Sequence, residues 1–341
     1  MAAATAVQLI TGFLGSGKTT FLNRVIRSFP KDRKLMILMN EFGEVGVDGA
    51  LVEGEDLDIL EISKGSIFCV CVKTDFIKGL NEIARKHQPD VLLMESTGVA
   101  NPTDLKRDLS LPFFQGRFEL TEQFCLLDAA NFEEAYEVFA SVEKQIASST
   151  VFVLNKTDLA TPEQVKRVKE LVARHHPNPR FFETTYAEIP VGEFLPGART
   201  PPETDTSAKA ELLSAEELKE AIDRLLDDPE RELTPPDRLL SAVYAWEGGG
   251  AEAFGALAAR LPPGIVRGKG FLSEGQDTRL FSLVMGRWSL ETATLPPNRA
   301  DLLSRIVFIA PPEVMPLLER LGEEFPGFRL RALLDPAAGK T

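Results

Sequence analysis

Gly12-Phe13-Leu14-Gly15-Ser16-Gly17-Lys18-Thr19 is the stretch that decides the fold. It satisfies the spacing G-x-x-x-x-G-K-[ST] in full, between an apolar run at residues 7–11 and a helical pattern from Lys18 to Ser28 that stops before Pro30. Glycines at 12, 15 and 17 let the backbone curl so that several N–H groups face one point. The helix that follows adds the partial positive charge of its N-terminus. Lys18 then reaches between the β- and γ-phosphates of a nucleotide, and the Thr19 hydroxyl is a ligand for Mg²⁺. Ser16 and Thr20 complete the expected phosphate contacts.

Working outward, further apolar runs at 34–39, 90–94, 118–128, 150–154 and 181–184 read as strands. Helical patterns over 75–86, 131–146 and 162–174, with a shorter one at 101–109, alternate with them. That alternation predicts an α/β domain: a P-loop NTPase-type, mostly parallel sheet with helices on both faces. It would occupy residues 1–189, with a lid insertion at about 49–88 carrying short β-type runs at 57–62 and 67–72. Residues 190–236 read as a linker and an amphipathic helix, opened by the capping box Ser214…Glu217 and carrying Leu218, Ile222, Leu225 and Leu226 on one face. Residues 237–334 alternate strands (239–246, 264–272, 279–285, 305–309) with helices (251–261, 313–324), a smaller α+β domain. A chain of 341 residues exceeds one ordinary hydrophobic core, which agrees with two domains.

Asn155-Lys156-Thr157-Asp158 directly follows an apolar strand. A carboxylate there accepts the N1–H and 2-amino hydrogens of guanine, a donor pair that adenine lacks, so the pattern selects GTP over ATP. Asn155 and Lys156 would brace the base and the phosphate loop. Glu95-Ser96-Thr97-Gly98 ends the 90–94 strand. Glu95 is suited to hold a Mg²⁺-bound water, and the Gly98 N–H to face the γ-phosphate. Asn40-Glu41-Phe42-Gly43-Glu44 lies where a nucleotide-sensing loop is expected, with Glu44 and Asp48 as acids near the metal, or as members of a solvated acidic loop.

The formal net charge of −13 (38 Lys+Arg against 51 Asp+Glu) argues against nucleic acid or an anionic membrane as partner, though not against a small anion held by backbone amides. No basic leader and no run of 18 apolar residues is seen, so a cytoplasmic home is expected. Three cysteines do not make a secreted disulfide scaffold. Cys69 and Cys71, two residues apart, would share one face of an extended strand. They read either as two thiolate ligands for an ion such as Zn²⁺ or Co²⁺ or as two small buried apolar residues; Cys125 reads as the latter.

Together the segments Thr11–Thr20, Asn40–Asp48, Glu95–Pro102 and Asn155–Leu159 resemble the CobW-like family of P-loop GTPases. Ile265–Phe271, Trp288 and Ile306–Ile309 extend the resemblance over nearly the whole chain. The family includes metallochaperones linked to cobalamin synthesis, zinc homeostasis and nitrile hydratase activation. The resemblance implies a GTPase, slow without a partner, that uses Mg²⁺ and serves a client metalloenzyme or metal-trafficking protein. Glu41, Glu44 and Glu95, with Lys18 and Thr19, are its candidate catalytic groups; a homodimer is one state open to it. The family's G-C-x-C-C motif aligns with Gly65-Ser66-Ile67-Phe68-Cys69, so a single motif cysteine stands in place and Cys71 lies two residues beyond. A metallochaperone and a nucleotide-gated assembly module without metal are both consistent with that departure.

Overall fold

Strand β1 (Thr5–Gly12) is buried along its whole length, the signature of a central strand covered on both faces. It pairs in parallel with β4 (Val91–Glu95) on one side and β5 (Phe118–Asp128) on the other. The computed structural model describes residues 4–41, 58–63, 70–96, 102–195, 213–226, 237, 239–275, 277–295 and 297–334. The chain divides into two units, the second holding Asp237–Thr341.

In the first unit β2 (Leu35–Glu41), β3 (Asp58–Ser63), β6 (Val151–Asn155) and β7 (Arg180–Glu183) complete a seven-stranded sheet in the order β3-β2-β4-β1-β5-β6-β7. The β2–β4, β5–β6 and β6–β7 pairings are parallel as well. Parallel neighbours need crossover connections, which here are helices α1 (Lys18–Ser28), α2 (Val70–Glu82), α3 (Pro102–Leu109), α4 (Phe132–Val138), α5 (Ala140–Ser148) and α6 (Pro162–Ala173). One core joins Ala6 and Ile10 of β1 to Phe21, Leu22 and Val25 of α1 and to Val151 and Val153 of β6. The opposite core joins Val7 and Leu9 to Phe76, Ile77 and Leu80 of α2 and to Leu105 and Leu109 of α3. The carboxyl ends of β1, β4, β5 and β6 therefore meet at one edge, where open α/β sheets bind ligands.

Three differences from the sequence reading have physical reasons. The strand expected over 67–72 does not hold at its end, because Val70–Val72 already belong to α2. Phe76, Ile77 and Leu80 recur at helical spacing, and their burial carries the helix back through residues whose own preference is β. The single helix expected over 131–146 is two, broken where Phe139 turns extended (φ −115, ψ 117) and sets its ring 4.7 Å from that of Phe13 in the phosphate loop. Third, packing of the first unit runs past residue 189. Val191 and Phe194 are buried against β6 and α1, and helix α7 (Ala215–Leu226) sends Leu218 and Ile222 into the α2/α3 core. Its predicted capping box is formed: the Glu217 N–H donates to Ser214 Oγ at 3.2 Å, and the Ser214 N–H donates to Glu217 Oε2 at 2.8 Å.

The second unit is an antiparallel sheet of β8 (Leu240–Trp246), β9 (Arg267–Glu274), β10 (Asp277–Val284), β11 (Arg287–Ala293), β12 (Arg305–Ala310) and β13 (Phe328–Leu334), ordered β11-β10-β9-β12-β8-β13. Helices α8 (Ala251–Ala258) and α9 (Met315–Glu324) cover one face through Phe254, Leu257, Leu318 and Leu321. Tyr244 and Phe328 stack there at 4.1 Å. The two edge strands, β11 and β13, were absent from the sequence reading; β11 is mostly exposed and so lacks the apolar run that betrays a buried strand.

Candidate functional site

The chain leaves β1 at Gly12 (φ 137), turns at Gly15 (φ 79) and enters α1 through Gly17 (φ 105). All three angles lie where a Cβ is strained. At two of these positions there is no room for one either: a methyl on Gly12 would meet the Leu126 carbonyl oxygen, and one on Gly17 the Asn155 side-chain nitrogen. The loop is thus clamped between β5 and β6. Helix α1 has no side-chain cap and no acidic residue in its first turn, so its leading N–H groups are kept for an outside anion. Ser16 Oγ is buried at 1% exposure without a hydrogen-bond partner, close beside Gly12 in the same cradle. An orphaned hydroxyl, uncapped amides and a lysine fit a phosphate.

Lys18 is 5% exposed and folds back on its own loop, its Nζ donating to the carbonyls of Gly12 (3.0 Å) and Phe13 (3.2 Å). Thr19 and Thr20 sit in the first turn of α1, half-buried and exposed respectively. Glu95 is buried at the end of β4, level with Ile10 of β1 and Met39 of β2. A threonine hydroxyl and a carboxylate are the hard oxygen donors that Mg²⁺ takes, so this pair fits that ion. Glu41 ends β2; Glu44, Asp48 and Gly98 lie outside the described residues.

Asn155 joins the two nucleotide motifs. Its Nδ2 donates to the Ser16 carbonyl at 2.9 Å, and its Oδ1 accepts the Ala187 N–H at 2.8 Å. Lys156 adopts the left-handed conformation (φ 59), and its ammonium pairs with Asp128 at 2.7 Å. Asp158 is exposed, in a short turn over Thr157–Leu159. Two groups of residues escaped the sequence reading. One is Asp128, at the end of β5, which takes Lys156 together with the Ala130 N–H and the Asn131 amide. The other is the turn Thr184–Glu188, whose Thr184 carbonyl accepts both the N–H and the hydroxyl of Thr157. No motif marks that turn; the one signal was its place after the last strand of the sheet.

Cys71 lies in the first turn of α2, and Cys69 lies outside the described residues. The backbone at Cys71 is therefore helical, where the sequence reading expected an extended strand. Among the described residues, no group of three or more His, Cys, Asp or Glu side chains comes together to hold a metal. Cys125 is fully buried on β5, and burial pushes its thiol up to about 12 against a weaker lowering by Ser149. No helix among the described residues is long and apolar enough to cross a membrane.

The chain is similar in sequence to curated proteins. The zinc chaperone YeiR of Escherichia coli (strain K12) is 37% identical over 160 residues, 47% of this chain and 48% of that protein. The zinc chaperone YjiA of the same organism is 29% identical over 192 residues, 55% of this chain and 59% of that one. The chain spans about half the length of the curated relatives it matches. The crystal structure of Zn(II)-bound YjiA GTPase from E. coli aligns over 96% of this chain and 99% of that one, at 20% identity and a TM-score of 0.43. The family profile described as CobW/HypB/UreG, nucleotide-binding domain, matches residues 6–183, and the chain belongs to that family of P-loop proteins.

Proposed function

We propose that this protein binds and hydrolyses GTP and couples its nucleotide state to the transfer of a metal or to the assembly of a client metalloenzyme. The observation that carries the nucleotide half is the Asn155 tether, which ties the phosphate loop to the loop bearing Asp158. Family membership and the zinc-chaperone names of its relatives support the second half.

In this reading the loop N–H groups, Ser16 and Lys18 hold the phosphates, whose oxygens replace the two carbonyls now on Lys18 Nζ. Thr19, and Glu95 through a water, would hold Mg²⁺, which supplies charge neutralisation on the phosphates. Asp158 selects guanine by accepting its N1–H and 2-amino hydrogens. Glu41 and Glu44 are the candidates to orient the attacking water, and turnover stays slow until a partner completes the site. Loss of the γ-phosphate then releases the loops that sense it and, with them, the segment carrying Cys69 and Cys71.

The test is nucleotide affinity and turnover with GTP and ATP, followed by Zn²⁺ and Co²⁺ titration of the reduced protein with and without a non-hydrolysable GTP analogue. Guanine-selective turnover, and metal binding that shifts with nucleotide and is lost on C69S/C71S, is the expected outcome. Equal affinity for ATP and GTP overturns the guanine reading. Nucleotide selectivity without stoichiometric metal binding instead supports the second reading, a nucleotide-gated assembly module that carries no metal. The departure of residues 65–69 from the family's cysteine motif favours that alternative.

A further inference from the structure

Tyr186 is the most exposed large apolar side chain among the described residues, at 72%. It stands on a backbone held at φ 51, followed by Ala187 at φ 54. Bulky side chains seldom adopt that conformation, and such strain collects where a ligand is clamped. The turn around it is over-determined. Arg24 Nε donates to the Tyr186 carbonyl at 2.6 Å, the Ala187 N–H donates to Asn155 at 2.8 Å, and the Thr184 hydroxyl donates to the Glu188 carbonyl at 2.7 Å. Ala187 is fully buried beneath it. The same turn carries the guanine loop, because the Thr184 carbonyl accepts both polar hydrogens of Thr157.

Folding gains little from a strained backbone that presents an aromatic ring to water, so the fold alone does not account for Tyr186. A second exposed apolar side chain, Leu159 at 61%, immediately follows Asp158. Among the described residues of the first unit, the exposed large apolar side chains are Val138, Leu159 and Tyr186, and two of them belong to the two linked loops beside Asp158.

We propose that the Tyr186 ring is the platform on which the guanine base stacks, with Leu159 at its edge. The proposal rests on the guanine reading of Asp158. The division of labour follows from the chemistry: hydrogen bonds to Asp158 read the edge of the base, whereas stacking holds its face and tolerates any base. Tyr186 is then a positioning residue that sets affinity and residence time, without setting the preference of guanine over adenine.

Calorimetry and dissociation kinetics with GDP, on the full chain and its Tyr186→Ala, Tyr186→Phe and Tyr186→Trp variants, test this. Tyr186→Ala should weaken GDP about ten-fold, mainly through faster release, while the ratio of guanine to adenine affinity is unchanged. Tyr186→Phe should stay within about two-fold of wild type, since the ring and not the hydroxyl stacks. The new indole of Tyr186→Trp should change its emission saturably with GDP. A Tyr186→Ala variant that binds like wild type, a Phe variant as weak as Ala, or an indole indifferent to bound GDP overturns the proposal alone. A wild-type chain that binds no guanine nucleotide overturns the site reading and the proposal together.

Discussion

In the proposed reading, Lys18 would release one set of partners for another on binding nucleotide. Lys18 is held by two loop carbonyls that phosphate oxygens would replace, so Lys18→Ala should leave the fold intact and lower GTP turnover by about a hundred-fold or more, measured as phosphate release. Asp158 is exposed, and in the proposed reading it accepts from the base edge. Its replacement by Asn turns an acceptor pair into an acceptor and a donor, so Asp158→Asn should lose GDP by about a hundred-fold and gain xanthosine diphosphate, whose ring carries a carbonyl where guanine has the amino group. Competition binding with the two nucleotides reads that exchange directly. Cys125 behaves differently, since burial holds its thiol at about 12 against an ordinary 9.0. The unfolded chain gives up that proton first, so stability is untouched below pH 9 and falls as the pH rises from there towards 12. Thiol labelling of the native chain at pH 8 should accordingly reach at most two of the three cysteines, the third only on unfolding.

At the scale of the element, the parts set by local pattern were legible in the sequence and the parts set by tertiary contact were not. Helix α1 runs from Lys18 to Ser28 as read, because glycines precede it and a proline follows. Strand β5 also has its expected ends, yet its faces were hidden. Phe118 and Leu120 pack on the α2 side and Phe124 and Leu126 on the α1 side, although all four fall at even positions. The pairing with β1 slips between Val7 and Gln8, Thr121 is the residue left over, and its hydroxyl donates to the Val7 carbonyl at 3.1 Å. A bulge of one residue reverses the alternation, and nothing in an apolar run announces it. The tetrapeptide at residues 155–158 is a local motif at the end of β6, whereas Asp128 and the Thr184–Glu188 turn reach it through hydrogen bonds to residues 28 and 27 positions away. Helix α7 offers a test of its own. Ser214→Ala should cost about 1 kcal/mol in urea unfolding of the first unit. Hydrogen bonds from Ser214 hold the Glu217 carboxyl below its ordinary 4.5, so the cap's contribution is present above that pH and is lost as the pH falls below it.

For the molecule as a whole, two compact units, each with its own hydrophobic packing, imply two unfolding events. A scanning calorimeter should resolve them, and saturating GDP with Mg²⁺ should raise only the transition of the first unit, by about 3 kcal/mol at a hundred times its Kd. A net charge of −13 poses an obvious difficulty for the polyphosphate binding proposed above. The loop answers it locally, with oriented amides and one buried cation instead of a basic surface. The folded-back Lys18 has a further consequence for nucleotide exchange. The ammonium already has oxygen partners within its own loop, the carbonyls of Gly12 and Phe13. In the proposed reading, a bound nucleotide would swap one set of oxygens for another around that ammonium.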